Sequence, residues 1–527
     1  MKKMKVLYVP LDDRDCNYHF PYMLSKMTED MELIRPDFAW MGELKKPADR
    51  KKIWQWLFDH AKECEYAILS VDTLVYGNII HSRIHHLSME ECKEGIENFR
   101  RLKELNPHLH IHAFNLVARV AAYDSAQEDP DYWENYGKKI WKYTWLLDKD
   151  AQGLSNPEER NEIRTLKAEI PQEHLDDFLQ RREIDREINL SSVELTREGI
   201  FDHLTIPKDD TAEFGYAAMD QAAVAKKVRE YSLFHRVYIY PGADEVGSVL
   251  FTRIFNLIHG YQPIVYVRYA SVNGARVIPR YEDRPLGESV KWQITSAGGI
   301  ITETPYDSDC MLALNAGGTT QIESTEQKHR SIAFKNNTNS EELLCYIRFY
   351  HEKYQRAIGV SDVTTCNGCD NDFMENARIH GIFDMIDAIG GWNTAENTNG
   401  VVIAQMMIAS YYHRFENKEA LKVASDTFMA RALIADWLAQ SNVAHDFYFQ
   451  YAPEHGINPF KLQEHLEEVK EFYQKRLSEL LEKKLGSQLR GREIHLQKIR
   501  FSWNGAFYFA VDCELTGSAK EAGGAER

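Results

Sequence analysis

Two adjacent carboxyl side chains, Asp244 and Glu245, follow the apolar run "RVYIY" within the segment "YPGADEVG" of residues 240–247. A glutamic acid in an apolar wall has a raised pKa and can donate a proton, whereas a solvated aspartate stays ionised and can orient a substrate. We therefore predict Glu245 as the proton donor and Asp244 as the orienting carboxylate, with Gly242 and Gly247 supplying the backbone freedom that places them. The alternative for the dipeptide alone is a helix cap, because acids favour the positive end of the helix dipole.

Polar side chains also follow several other apolar runs. An arginine beside carboxylates can hold sugar hydroxyls or a substrate anion in a fork, or else fix its own loop. Amides and carboxylates next to a tryptophan suit a polyhydroxylated ring, which needs hydrogen bonds at its rim and an aromatic face beneath it. The predicted substrate-binding residues are Asp12, Asp13, Arg14, Asn17, Asp72, Tyr76, Arg83, Asn315, Asp362, Asn367, Asp370, Trp392, Asn393 and Asn397.

One of these residues, Asp72, ends a buried apolar run, where an ionised carboxylate needs a partner. We expect Arg83 or Arg119 to supply it.

A metal centre is a minor alternative. The acids Asp12, Asp13, Asp307, Asp309 and Asp370 could converge as oxygen ligands for magnesium or calcium. The sequence contains no HExxH motif, EF-hand spacing or zinc-type histidine pair. We therefore predict no metal and no cofactor.

Short apolar runs alternate with amphipathic helical stretches along most of the chain, which predicts an α/β protein of parallel βα units. The units form either a TIM barrel or an open doubly wound sheet, and in both arrangements function gathers at the carboxyl ends of the strands. The predicted organisation is the first βα units of a catalytic core at 1–124, a helical insertion at 125–230, the remaining βα units at 231–400, packing helices at 401–490, a C-terminal β-hairpin at 491–516 and a disordered tail at 517–527.

The C-terminal hairpin is predicted from strand-like alternation on both sides of Asn504-Gly505. This dipeptide favours a type I′ turn, whose two central residues both need a positive φ.

Composition excludes several classes of partner. The formal net charge of -17 argues against a nucleic-acid backbone or an anionic membrane surface, since both would require a basic face. No segment reaches the roughly 18 apolar residues of a membrane span, and the first residues enter a strand-like run in place of a signal peptide. We predict a cytoplasmic protein that acts on a small molecule or an oligosaccharide, and we leave its oligomeric state open.

Seven motifs in order make the chain resemble a bacterial family catalogued only as a domain of unknown function. They are "VPLDDR-x-x-N", "S-x-D-x-x-x-YG" followed by "SR", "YPGADEVG", "PRYEDRP", "LNAGG", "DVTTCNGCDN" and "GGWNTAENTNG". That resemblance covers most of the chain and implies no settled activity.

A much shorter resemblance concerns "GADEV", residues 242–246, which is similar to the "GGDEV" strand end of family 20 β-N-acetylhexosaminidases. The resemblance implies a TIM barrel in which Asp244 orients the 2-acetamido group of the substrate. It also implies that Glu245 is the general acid and that Arg14 binds ring hydroxyls.

The leading functional hypothesis is a glycoside hydrolase-like enzyme that uses acid/base carboxylates, acting on a substrate that contains N-acetylhexosamine. Two alternatives stay open. One is a divalent-metal-dependent enzyme acting on a phosphorylated or carboxylated metabolite, and the other is a non-catalytic carbohydrate-binding protein.

Overall fold

The computed structural model describes residues 3–415 and 419–517, which form two compact units. The first unit comprises residues 3–18, 30–247 and 281–283. The second comprises residues 19–29 and 248–280, together with the described residues from 284 onwards.

The first unit is built on a six-stranded sheet in which all strands are parallel. Its strands are short and mostly buried, as expected for a parallel sheet covered on both faces. They are β1 Met4–Val9, β2 Met31–Ile34, β3 Tyr66–Ser70, β4 His110–Phe114, β5 His203–Lys208 and β6 Val237–Pro241. The spatial order is β2-β1-β3-β4-β5-β6. The strand order therefore reverses between β1 and β3, which is where open α/β sheets bind ligands.

The second unit is built on a five-stranded parallel sheet, accompanied by a two-stranded parallel ribbon. The strands of this unit's sheet and ribbon are β7 Ile264–Tyr269, β8 Ile300–Thr302, β9 Cys310–Asn315, β10 Ile322–Glu323, β11 Ala357–Asp362, β12 Thr365–Cys366 and β13 Ala388–Gly390. The sheet order is β8-β7-β9-β11-β13, and β10 pairs with β12. Both sheets thus follow the same order in chain sequence, 2-1-3-4-5, with a sixth strand added in the first unit.

This strand order confirms parallel βα units and decides between the two arrangements. The open, doubly wound alternative agrees with both sheets. The TIM-barrel alternative is wrong for the described residues, because their parallel strands form two open sheets and not one closed ring. The short likeness to family 20 enzymes therefore does not extend to the fold.

Helices connect the strands and cover the sheets. The α-helices are α1 Asp15–Tyr18, α2 Phe20–Lys26, α3 Arg50–His60, α4 Val71–Val75, α5 Ile79–Ile84, α6 Met89–Leu105, α7 Trp133–Ala151, α8 Pro157–Glu169, α9 Gln172–Glu198, α10 Tyr216–Glu230, α11 Val246–Ile258, α12 Leu286–Ser296, α13 Ile332–Asn336, α14 Ser340–Tyr354, α15 Asn371–Ile379, α16 Ala395–Phe415, α17 Glu419–Ala432, α18 Ala444–Asp446, α19 Ala452–His455 and α20 Leu466–Leu485. None of the helices within residues 3–415 and 419–517 combines the length and apolar character needed to cross a membrane.

Local sequence signals set several helix ends. Ser88 and Glu91 form a reciprocal capping box at the start of α6. Gly199 ends the long helix α9 in the left-handed conformation, with φ of 81°. Helices α7 to α10 lie within residues 125–230, the segment with a charged, amphipathic pattern. That segment also contains β5, the fifth strand of the first sheet.

Two π-helical segments, Leu433–Val443 and Phe447–Tyr451, follow α17 in the second unit. Stretches of π-helix are rare and frequently lie at functional sites. Side chains of this region, including Trp437 and Phe447, belong to the same hydrophobic core as the C-terminal strands.

The C-terminal hairpin is confirmed, but its predicted turn is wrong. Strands β14 Gln488–Leu489, β15 Arg492–Phe501 and β16 Phe509–Thr516 form an antiparallel sheet. Positive φ values fall on Trp503 and Asn504, whereas Gly505 is extended with φ of -126°. The connection is longer than a type I′ turn because two short 3-10 segments lie between the strands. The predicted tail lies outside the described residues, apart from Gly517.

Candidate functional site

The predicted site residues divide between the two units, and each set is described within its own unit. In the first unit, Arg14 joins the loop after β1 to the loop after β6. Its guanidinium donates from Nη1 to Asp244 Oδ2 at 3.0 Å and from Nη2 to Asp244 Oδ1 at 2.6 Å. It also donates from Nε and Nη2 to Asp12 Oδ2, at 3.0 and 2.7 Å. The amide of Asn17 donates to both carboxylates at 3.0 Å. Arg14 and Asp244 are 230 positions apart in the chain, so the fold brings the loops after β1 and β6 together. The roles predicted for these four residues stay predictions.

This four-residue cluster is almost completely removed from solvent, with Asp12 at 0% and Asp244 at 5% exposure. Burial raises the pKa of Asp244, and the charge of Arg14 opposes that rise. Burial lowers the pKa of Arg14, but the two carboxylates outweigh it and raise that pKa well above its ordinary value. Asp13 is buried in the same loop. Both carboxylate oxygens of Asp244 thus accept hydrogen bonds, from Arg14 and Asn17.

Glu245 is fully buried and its position depends on the neighbouring glycines. The backbone N–H of Ala243 donates to Glu245 Oε2 at 3.0 Å. Gly242 has φ of 140°, and a Cβ there would overlap the Glu245 carboxylate. A Cβ at Gly247 would overlap the hydroxyl of Tyr8 on β1. Both glycines are therefore favoured because a Cβ would have little room at either position. Gly242 is favoured also because its φ is positive.

The other first-unit candidates lie after β3. Asp72 is fully buried and accepts a hydrogen bond from the backbone N–H of Leu116 at 2.9 Å and from Asn115 Nδ2 at 3.4 Å. Burial raises the pKa of Asp72 to about 7 against these hydrogen bonds. The expected arginine partner of Asp72 is wrong for both candidates. Arg83 donates to Asp209 and Glu128, and Arg119 donates to Asp210, Glu128 and Asp129.

Tyr76 also belongs to the packed interior of this region. Its ring stacks on His85 with a centroid distance of 4.7 Å. Burial and nearby acids raise the pKa of the Tyr76 hydroxyl well above its ordinary value.

Lys208, the last residue of β5, was missed by the sequence analysis. Its side chain is 1% exposed, and its ammonium group pairs with Asp283 and donates to Gln221 Oε1 at 3.0 Å. Asp283 belongs to the loop "PRYEDRP", so this loop contributes a charge to the first unit. The available signal was a lysine directly after an apolar run, "LTIP", inside a segment interpreted as helical.

The second unit brings its polar strand ends together after β9 and β11. Asn315 Nδ2 donates to Asp362 Oδ1 at 2.9 Å, and the backbone N–H of Asp370 donates to Asp362 Oδ2 at 2.6 Å. Arg330 holds Asp370 through two parallel hydrogen bonds of 2.7 and 2.6 Å. Burial and the charge of Asp370 raise the pKa of Asp362 well above its ordinary value. Asp370 also caps helix α15.

Asn367 and Asn393 connect this group to the loop after β13. Both have positive φ values, of 59° and 63°, and the backbone N–H of Asn367 donates to the carbonyl of Asn393 at 2.9 Å. Asparagine tolerates the left-handed conformation better than other non-glycine residues. Trp392 precedes Asn393 and is half-buried.

A small, partly open cavity in the second unit is lined by two predicted residues, Trp392 and Asn397. Arg431 and Asp436, which were not predicted, also line it. The indole N–H of Trp392 is buried and has no hydrogen-bond partner among the described residues.

The carboxyl group of Asp436 is positioned by a hydrogen bond from the backbone. It lies in the π-helical segment Leu433–Val443, and its Oδ2 accepts the backbone N–H of Gly391 at 3.1 Å. Burial raises the pKa of Asp436 to about 6, against the opposing effects of Arg431 and the Gly391 N–H. Its backbone carbonyl accepts the N–H of Cys369 at 3.1 Å. Asp436 is therefore a buried carboxyl group with a raised pKa in the wall of a cavity.

Metal binding receives no support from the described side chains. Across residues 3–415 and 419–517, no group of three His, Cys, Asp or Glu residues is arranged to hold a metal ion. The predicted convergence of Asp12, Asp13 and Asp370 on one ion stays an untested alternative.

The strand orders define a protein with two doubly wound, parallel α/β units, each with polar residues at its strand ends. The chain belongs to the DUF4127 family, described as a protein of unknown function, whose family model matches residues 6–512. No curated protein matches the chain.

Proposed function

We propose that this protein is a glycoside hydrolase-like enzyme that binds one sugar ring in the cavity of the second unit and uses Asp436 as its general acid. The observation that carries the proposal is a carboxyl group with a pKa of about 6 in the wall of a cavity that also contains Trp392 and Asn397. A general acid works best when its pKa lies near the working pH.

The hydrogen bonding of Asp436 supports this role. Among the described residues, only the backbone N–H of Gly391 donates to its carboxyl group, and it does so to Oδ2. The other oxygen can carry the proton that a departing glycosidic oxygen receives. The indole N–H of Trp392 is buried without a hydrogen-bond partner among the described residues and can donate to a ring hydroxyl, and Asn397 lies in the same wall.

The cavity also suits a substrate that supplies its own nucleophile. Asp436 protonates the glycosidic oxygen as the bond from that oxygen to C1 breaks, and the carbonyl oxygen of a 2-acetamido group bonds to C1. Water then attacks C1, the acetamido oxygen leaves, and the proton of the water returns to Asp436. This chemistry needs one protein acid, which agrees with the expectation of an N-acetylhexosamine substrate.

The roles predicted for Asp244 and Glu245 stay predictions. In the first unit Asp244 already accepts hydrogen bonds from Arg14 and Asn17, and Glu245 is fully buried. We therefore favour Asp436 as the acid. We also propose a cytoplasmic location, because the eight cysteines are all free thiols, as expected in a reducing compartment.

The test is a screen of chromogenic N-acetylglucosaminides, N-acetylgalactosaminides and simple glucosides. Wild type is compared with Asp436→Asn and Glu245→Gln, and with Asp372→Asn as a control that removes the same charge from an exposed side chain of the second unit. We expect Asp436→Asn to lose at least about 100-fold in turnover, as is usual for a missing acid, and Asp372→Asn to keep wild-type turnover.

Each other outcome has a separate meaning. Loss of turnover in Glu245→Gln alone would identify Glu245, in the first unit, as the general acid. Sugar binding by a folded wild type without turnover on any substrate would instead favour the non-catalytic carbohydrate-binding alternative. Absence of both binding and turnover in a folded protein would refute the proposal.

A further inference from the structure

One face of the second sheet is incompletely covered beside β7 and β8. Strand β9 lies on the other side of β7 from β8, so the connection from β8 to β9 has to pass β7. Residues 303–309, all within the described chain, make this connection without a helix. In the first sheet, whose first five strands have the same order, the corresponding connection from β2 to β3 contains α3. The second unit thus has a short loop where the first unit has a helix.

The burial of the strands reflects this difference. Helix α3 places Ile53, Trp54 and Leu57 in the same hydrophobic core as β1. On β7, the strand at the position equivalent to β1, Tyr266 and Arg268 are only half-buried, although every residue of the neighbouring β9 is buried. Parallel sheets normally have both faces covered. The exposed part of β7 and β8 therefore leaves room for a partner.

The incompletely covered surface is apolar and aromatic. Parallel pairing sets Ile264 beside Ile300, on the face of the sheet that also carries Tyr266. The ring of Tyr266 lies 6.0 Å from the ring of Tyr346 on α14, and the ring of Tyr346 lies 5.6 Å from that of Phe349. These side chains thus form a continuous patch across two strands and one helix.

The loop between β8 and β9 adds Tyr306, which is 73% exposed. Arg356, which follows α14, donates from Nη1 to the backbone carbonyl of Tyr306 at 2.8 Å and so fixes the loop beside the helix. Ile300 and Phe349 are 45% and 44% exposed. Contiguous exposed apolar surface of this kind is typical of an interaction site. We call this surface the open face, and it comprises Ile264, Tyr266, Ile300, Tyr306, Tyr346 and Phe349.

The composition of the open face fits a protein partner better than a sugar. Tyrosine, phenylalanine and arginine are enriched where proteins contact one another. The guanidinium group of Arg268 lies over the ring of Tyr346, 3.8 Å from its centre, and pairs with Glu342. One surface of this ring is therefore already covered by a cation, which disfavours stacking of a sugar there.

The charges at the rim of the open face have both signs. The ammonium group of Lys353 lies 5.4 Å from the centre of the Phe349 ring, and Glu303 and Glu342 are exposed at the other side. A two-fold contact sets the same surface against itself, so it needs charges of both signs to be self-complementary. We propose that a second copy of this chain covers the open face, in a two-fold dimer to which both copies contribute this surface. The proposal does not depend on the proposed enzymatic function.

The experiment is analytical ultracentrifugation of the full chain between about 1 and 100 µM. Phe349→Glu places a charge in the open face on a side chain that is not part of the core. Phe449→Glu is the matched control, because Phe449 is 61% exposed in a π-helical segment of the same unit and is not a residue of the open face. We expect wild type and Phe449→Glu to form a dimer of twice the chain mass of 61.2 kDa. The dissociation constant of this dimer should be at least about 10-fold higher in Phe349→Glu.

Tyr306→Glu is a second variant on a different element and should weaken the dimer in the same way. Circular dichroism checks that each variant is folded. The proposal is overturned if wild type is a monomer over the whole concentration range, or if neither variant of the open face dissociates more readily than Phe449→Glu. Assemblies that keep growing with concentration would overturn the two-fold contact. A monomeric wild type that binds an oligosaccharide, with binding lost in Phe349→Glu, would assign the open face to carbohydrate and overturn the dimer.

Discussion

Replacing Asp436 by asparagine is expected to stabilise the protein at neutral pH while it removes activity. The pKa of Asp436 is about 6 in the folded chain, against an ordinary value of 3.8. A difference of about two in pKa corresponds to a free energy of about 3 kcal/mol. The side chain is only 7% exposed, so solvent screening reduces this value little.

The sign follows from where the proton is bound. Below about pH 4 the carboxyl group is protonated in both the folded and the unfolded chain, and it contributes no penalty. Between about pH 4 and 6 the unfolded chain loses this proton first, so the free energy of unfolding falls as the pH rises. Above about pH 6 the whole penalty of about 3 kcal/mol is present. The neutral side chain of Asp436→Asn avoids it.

The assay is urea unfolding of wild type and Asp436→Asn at about pH 4 and about pH 8. The free energy of unfolding of the variant, relative to wild type, should rise by about 3 kcal/mol between the two conditions. This double difference removes any effect of the substitution that is independent of pH, including a changed hydrogen bond with Gly391. Asp372→Asn should change by less than about 0.5 kcal/mol. A relative stability of Asp436→Asn that is the same at both pH values would refute the reasoning.

Three further predictions concern other parts of the molecule. Arg14→Gln leaves two buried carboxylates without the charge of Arg14 and should lower the free energy of unfolding by about 3 to 5 kcal/mol. Urea unfolding measures this change, and a loss below about 1 kcal/mol would contradict the buried ion-pair network. Gly242→Ala places a Cβ against the Glu245 carboxylate at a positive φ, whereas Gly199→Ala has a positive φ but nothing within 4 Å of the new Cβ. Thermal unfolding should therefore show a larger fall in the melting temperature for Gly242→Ala. Equal falls would mean that backbone strain alone destabilises both variants. Turnover of the best glycoside should be unchanged after treatment with a chelator, and a loss that added magnesium restores would favour the metal-dependent alternative.

The strand ends were the part of the site that the sequence could reveal. Parallel strands end at a common edge, so polar residues after apolar runs in the sequence become neighbours in space. Asn315 and Asp362 meet in this way, although 47 positions separate them. Arg14 and Asp244 also meet, but through a side-chain contact that no local pattern specifies.

Asp436 could not be found by the same reasoning. It lies in the run "ALIADWLAQ", which has the apolar content of a packing helix. Its environment depends on π-helical geometry and on the Gly391 N–H, and neither leaves a periodic pattern in the sequence. The strand β5 was missed for a related reason, because its short apolar run lies between long charged helices. The hairpin was predicted correctly, but the Asn-Gly dipeptide could not report the longer connection around Trp503.

The contact between Arg14 and Asp244 also affects the order of events during synthesis. The two residues are 230 positions apart, and chains grow at about 5 to 20 residues per second. For roughly 10 to 50 s after Arg14 is made, its Asp244 partner therefore does not yet exist. The first unit also includes residues 281–283, so it cannot be complete before a segment that follows β7 has been synthesised. Synthesis of the first unit therefore begins first, but it ends only after residues 248–280 of the second unit have been made.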